Sequence, residues 1–121
     1  MKIYVYHSTK FDYKKELYEP IRNSSLNNQH EFIFPHENSG QSFDSKNIIP
    51  KCNLVISEIS YPSTPMGIEL GWANKDDVKI VFIYKQEIKV SESLKTVSND
   101  FIEYASTEDL IKKLELFLKD L

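Results

Sequence analysis

The sequence predicts an α/β fold, a single-domain open parallel five-stranded sheet with helices on both faces, and three observations carry the prediction. Short β-branched and aromatic runs alternate with stretches of helical spacing along the chain. One run, Lys79 to Tyr84 (KIVFIY), is apolar almost throughout, the pattern of a parallel strand covered on both faces. Near the end of the chain Leu110, Ile111, Leu114, Phe117 and Leu118 recur at the intervals of a core-facing helix.

Taken in order, Lys2 to His7 (KIYVYH) is the first strand, its short length and β-branched and aromatic content favouring a strand over a helix. Phe11 to Leu26 is predicted helical, with Leu17, Tyr18 and Ile21 among charges, Asp12 as N-cap and Pro20 as a kink or early stop. Glu31 to Pro35 (EFIFP) is a short second strand, and the polar, turn-rich HENSGQS after it is a loop. Asp44 to Ile49 is a short helix ended by Pro50, since proline disfavours helical geometry at the residue before it. Asn53 to Ile59 (NLVISEI) is the third strand, Gly67 to Asn74 a helix, Lys79 to Tyr84 the fourth strand and Phe101 to Tyr104 the last. Ser106 or Thr107 caps the terminal helix, and Ser91 to Ser98 has no assignment. Right-handed crossovers then give a Rossmann/flavodoxin-like sheet of order 2-1-3-4-5. Ligands of such sheets collect beyond the carboxyl ends of the strands at the switch point, here between strands 1 and 3, where both YHSTK and SYPSTPMGIELG fall.

A chain of 121 residues, 40% hydrophobic and 27% charged, fits one soluble globular domain over residues 1–121 and excludes the disordered and collagen-like classes. A net charge of −3 without a Lys/Arg run argues against nucleic acid and for a small ligand. The lone Cys52 cannot form an internal disulfide, and the N-terminus opens on a strand-like run instead of a signal-like segment, so a cytoplasmic protein is expected. No apolar stretch approaches the roughly 20 residues of a membrane span. Three histidines and one cysteine at scattered positions offer no metal-ligand spacing, and neither a metal nor a cofactor is expected.

The chemically informative stretch is Ser57 to Ala73, SEISYPSTPMGIELGWA. Glu69 stands near the start of the predicted helix, where the backbone dipole favours a carboxylate and keeps it ionised. Met66, Leu70 and Ala73 line one face of that helix, which leaves Glu69 at the edge of the buried stripe, over the loop after strand 3. A carboxylate so placed can act as a nucleophile, or only stabilise the helix by about a few tenths of a kcal/mol. Spacing alone leaves both readings open.

The segment NLVISEISYPSTPMGIELGWA resembles the signature of the nucleoside 2-deoxyribosyltransferase family, most closely its 2'-deoxynucleoside 5'-phosphate N-hydrolase branch. The matches are Leu54, Val55, Ile56, Glu58, Ile59, Pro62, Ser63, Gly67, Glu69, Leu70, Gly71 and Ala73. The resemblance implies an N-glycosidase acting on 2'-deoxynucleosides or their 5'-monophosphates. In it Glu69 attacks the anomeric carbon to form a covalent glycosyl-enzyme, Tyr4 orients Glu69, and water completes the cycle. A second base in place of water would make it a deoxyribosyltransferase, and loss of turnover would leave a nucleotide-binding module of the same fold. The family's second acid, which helps protonate the departing base, falls on Ser45 in a gapless alignment. Its neighbour Asp44 is therefore the expected acid, or else only the cap of its helix.

By the same resemblance Ser63, Ser8 and Thr9 approach the 5'-phosphate, His36 lies near the base, and Gly67 lets the substrate come close to the backbone. The branch's Gly-Ser-Ile-Arg-Gly is replaced here by His7-Ser8-Thr9-Lys10, and a motif glycine by Pro65. Tyr61 and Trp72 are read as packing residues or subunit contacts. The implied partners are a small-molecule nucleoside or nucleotide and a second copy of the chain in a homodimer.

Overall fold

Five parallel strands pair in the order expected, β2-β1-β3-β4-β5, with β1 at Lys2–His7, β2 at Glu31–Ile33, β3 at Leu54–Glu58, β4 at Lys79–Lys85 and β5 at Phe101–Tyr104. The structure, a computed structural model, describes residues 1–38 and 44–121, without the side chains of residues 64 and 65. The part of the predicted loop beyond residue 38 lies outside the described residues.

The helices are α1 (Glu19–Arg22), α2 (Leu26–Gln29), α3 (Ser45–Ile48), α4 (Thr64–Lys75) and α5 (Thr107–Lys119). Alternate residues of a strand point to opposite faces, so β1 serves two cores. Ile3 and Val5 pack with Leu17, Ile21, Leu110 and Leu114 on the α1/α5 side. Tyr4 and Tyr6 pack with Met66, Leu70, Val55 and Phe82 on the α4 side. In α5 the predicted stripe forms as expected, with Leu110, Leu114 and Leu118 buried, Ile111 and Phe117 packed at its border, and Ser106 Oγ accepting Asp109 N–H at 3.1 Å as N-cap. No helix among the described residues is long and apolar enough to cross a membrane.

Three predicted helices have different bounds, each for a local reason. Phe11 to Leu26 is not one helix. Asp12 Oδ1 does accept Lys15 N–H at 3.4 Å, but the first turn, Lys14–Tyr18, is π-helical. Pro20 does not stop the helix: Lys14–Tyr18 runs directly into Glu19–Arg22, and the π-helical turn lies immediately before the proline, where a helix interior loses a backbone hydrogen bond. Helical geometry also continues past the predicted stop at Pro50, through a 3₁₀ turn at Ile49–Lys51. Most consequential is α4, which starts at Thr64 and not at Gly67. Ser63 is extended (φ −148°, ψ 155°), and its Oγ accepts Met66 N–H at 3.4 Å, a hydroxyl cap followed by proline in the first turn. The unassigned stretch contains a 3₁₀ turn at Glu92–Thr96.

The turn from β3 into α4 is held by a carboxylate only 1% exposed. Glu58 Oε1 accepts Ser60 N–H at 2.5 Å, and Oε2 accepts the Ser60 hydroxyl at 3.1 Å and the Tyr104 hydroxyl of β5. Ser60 Oγ in turn accepts the Lys85 N–H of β4 at 2.8 Å. Burial raises the Glu58 pKa, while these donors and the Lys85 charge draw it back down. Tyr104→Phe should therefore lower the unfolding free energy by about 1.5–3 kcal/mol, the usual range for a hydrogen bond to a charged group. A lower urea midpoint at unchanged slope is the expected result; an unchanged midpoint would show that the phenol contributes nothing.

Candidate active site

Tyr4, from the middle of β1, is fully buried, and its phenol donates to Glu69 Oε1 on α4 at 3.3 Å. The buried Ser45 hydroxyl at the start of α3 lies 2.7 Å from the same phenol oxygen. When the phenol donates to Glu69, Ser45 donates to the phenol. A strand and two helices thus converge on one carboxylate, on the side of the sheet that α4 covers.

The early start of α4 corrects the electrostatic expectation. With Thr64 as the first helical residue, Glu69 lies in the second turn, and the influence of the helix dipole fades within the first. Nothing at the helix end keeps this carboxyl ionised. Burial instead raises its pKa from 4.5 to about 7, against the opposing pull of the Ser45 and Tyr4 hydroxyls. The Tyr4 phenol is pushed far above its ordinary value, first by burial and then by the Glu69 charge. Glu69 Oε2 is buried with no hydrogen-bond partner among the described residues.

The other expected site residues are distributed as follows. Asp44 is exposed, and its Oδ2 accepts Asn47 Nδ2–H at 2.6 Å; the residue at the Tyr4 phenol is its neighbour Ser45. Ser63 caps α4. Gly67 is exposed, and an added Cβ there would meet nothing within 4 Å. Both border a groove of about 220 Å³ with Ile59, Pro62, Met66 and Leu70. A larger cleft of about 620 Å³, between Pro20 and Ile111, contains none of the expected site residues. Ser8 is buried, its Oγ accepting Lys10 N–H at 3.2 Å, and Thr9 is exposed. Lys10 Nζ donates to the Pro62 carbonyl at 3.4 Å, which ties the loop after β1 to the loop before α4. His36 is exposed, its N–H donating to the Tyr18 hydroxyl at 3.2 Å.

His7, which stands where the resembling hydrolases have glycine, is a packing residue on the opposite face. It is 3% exposed and stacks on Tyr13 with ring centroids 4.5 Å apart. Its Nδ1–H donates to the Ser8 carbonyl at 2.9 Å, so Nε2 accepts the Tyr18 hydroxyl at 2.5 Å. Burial lowers its pKa to about 4, and the ring is neutral at physiological pH. Tyr61 is also a packing residue, stacked on Phe11 at 5.0 Å, and Trp72 packs against the α4-side core.

Tyr6 was absent from the expected set, although its position two residues after Tyr4 puts it on the same face of β1. The two rings stack at 6.2 Å and 15°, and the Glu69 charge helps raise the Tyr6 pKa. Among the described residues no group of three or more His, Cys, Asp and Glu side chains could hold a metal ion.

The fold and this cluster define an open parallel α/β protein with a half-buried carboxylate facing the first strand on the α4 side of the sheet. No protein-family model matches the chain, and no curated protein does. Among solved structures it is similar to Clostridium botulinum CMP N-glycosidase, BcmB, at 24% identity over 97% of this chain and 99% of that one, with a TM-score of 0.73. It is also similar to CapF in complex with the inhibitor 3-isopropenyl-tropolone, at 13% identity over 86% of this chain and 29% of that one, with a TM-score of 0.55. At these identities the likeness is one of fold.

The raised Glu69 pKa has a measurable sign. Between pH 4.5 and about 7 the folded protein retains a proton that the unfolded chain has lost, so stability falls as pH rises through that window. Glu69→Gln removes this dependence. It should raise Tm at pH 8 by about a few degrees and change it much less at pH 4; a gain equal at both pH values would contradict the buried carboxyl.

Proposed function

We propose that this chain is an N-glycosidase that cleaves the base–sugar bond of nucleosides or their 5'-monophosphates through a covalent glycosyl-enzyme on Glu69. The observation that carries the proposal is the geometry of one carboxylate: Tyr4 holds Oε1, and Oε2, buried and without a partner among the described residues, is the oxygen assigned to the substrate. The resemblance of residues 53–73 supports it, as does a fold shared with a protein described as a CMP N-glycosidase.

In this reading Oε2 bonds to the anomeric carbon as the base departs with the electrons of the glycosidic bond. The carboxylate stabilises the oxocarbenium-like transition state before trapping it. Tyr4 restrains the carboxylate, and the Ser45 hydroxyl supports Tyr4. Water then cleaves the ester and returns Glu69 to its starting form. Asp44, just before α3, is the proposed proton donor to the base. Ser63, Ser8 and Thr9 are assigned to the 5'-phosphate and His36 to the base. Gly67 leaves room for the sugar. Within the helix a glycine costs about 1 kcal/mol relative to alanine, and no contact among the described residues requires it there.

Incubation with a panel of ribo- and deoxyribonucleosides and their 5'-monophosphates, followed by chromatography, should reveal free base. Its absence from every member would refute the glycosidase reading. A second free base added to the reaction separates hydrolysis from transfer. Because the nucleophile must be ionised, kcat/KM should fall as pH drops below about 7. Glu69→Gln should reduce kcat by at least about 10³-fold with a much smaller loss of binding; equal losses would make Glu69 a mere binding contact.

Gly67→Ala provides an independent check. It should raise stability by about 0.5–1 kcal/mol through helix propensity alone and at the same time increase KM. An increase in stability with unchanged KM would place the sugar elsewhere.

A further inference from the structure

Lys85 closes β4 at the carboxyl edge of the sheet, and its ammonium joins segments from three other parts of the chain. Nζ donates to Glu16 Oε1 of the π-helical turn at 2.8 Å and to the Tyr61 hydroxyl at 3.0 Å. It also lies 5.3 Å from the centre of the Phe11 ring and 5.1 Å from that of Tyr61, beside two rings that stack on each other 5.0 Å apart. Phe11 belongs to the loop after β1 and Tyr61 to the loop between β3 and α4, so one cation holds both loops against β4. The Lys85 side chain is 29% exposed and that of Glu16 38%, a setting in which an ion pair contributes little to stability. What such a pair can fix is the relative position of the segments it joins.

We infer that Lys85 is a positioning residue for the 5'-phosphate: without touching that group, it sets the relative position of the two loops whose hydroxyls would hold it. The inference rests on the proposed assignment of Ser8, Thr9 and Ser63 to the phosphate, which brings donors from both loops to one ligand. Ser8 and Thr9 stand just before Lys10 and Phe11, and Ser63 follows Tyr61 and Pro62. Donors on separate loops bind one group well only where the loops are already in place, and a shift of about 1 Å can cost about 100-fold. The Glu69 carboxylate is held differently. Ser60 Oγ accepts the Lys85 backbone N–H at 2.8 Å, a bond that any residue except proline would retain at this position, and Met66, Leu70 and Ala73 pack α4 onto the sheet. The Lys85 side chain therefore acts on the phosphate end of the site and not on the carboxylate.

The test measures steady-state kinetics on a nucleoside 5'-monophosphate and on the same nucleoside without phosphate, with wild-type protein, Lys85→Met, Lys85→Arg and Glu16→Gln. Lys85→Met should raise KM for the monophosphate about tenfold, leave KM for the nucleoside within about twofold and keep kcat on both within about threefold. Lys85→Arg, which keeps a cation beside the two rings, should restore most of the loss. Glu16→Gln separates positioning from charge. Removing an acidic charge tightens an anion through the field alone, whereas removing the partner that fixes Lys85 weakens it. KM for the monophosphate should therefore rise in Glu16→Gln; a fall or no change overturns the inference. So do equal losses on both substrates in Lys85→Met, or a wild type indifferent to the phosphate. Should Lys85→Met not fold, Glu16→Gln decides alone. If neither substrate releases base, the glycosidase reading has failed, and calorimetry with the same two compounds decides the inference separately. Tighter binding of the monophosphate that both Lys85→Met and Glu16→Gln weaken supports it; equal binding of the two compounds, or none, overturns it.

Discussion

The arrangement of this protein depends on a carboxylate that water barely reaches. Glu58 ends β3, and an isolated buried charge would be very costly, so the chain surrounds it with donors: the Ser60 backbone, the Ser60 hydroxyl and the Tyr104 phenol. Because Ser60 also accepts from β4, the start of the β3–α4 turn is fixed to three neighbouring strands at once. From this anchor the chain has only Tyr61 and Pro62 to cross before Ser63 caps α4. The start of the helix sets which turn carries Glu69, and that turn brings it over Tyr4.

The two faces of the sheet treat polar groups differently. On the α1/α5 side every hydrogen-bonding group of His7 is paired, its ring is enclosed by Phe11, Tyr13, Tyr18 and His36, and burial keeps it neutral. On the α4 side, β1 presents Tyr4 and Tyr6 to a carboxylate whose second oxygen has no partner among the described residues. The raised pKa of Glu69 expresses this imbalance, since desolvation exceeds what two hydroxyls return. Groups left in this state are the ones through which a fold gives up stability for chemistry.

Much of the fold was legible because it follows from short-range pattern. β1 and β5 have the predicted bounds, and the stripe of α5 is buried as its spacing required. The strand order follows from alternating elements joined by right-handed crossovers. Helix starts were less legible. Gly67 reads as a boundary from composition, yet Ser63 supplies a capping hydroxyl and proline fits the first turn, so the helix begins earlier. Glu69 and Tyr4 were identifiable as candidates from the motif, and Ser45 only as the alignment position beside Asp44.

The sequence by itself determined which residues could form strands, which faces they would bury, and that a carboxylate would follow β3 near the switch point, because these depend on periodicity and local sterics. The protonation of Glu69, the choice of Ser45 over Asp44 at the Tyr4 phenol, and the pairing of Tyr6 with Ser57 were decided only by tertiary structure. Each depends on distance and desolvation between residues far apart in the chain, and neither quantity exists until α3 and α4 have packed onto the sheet.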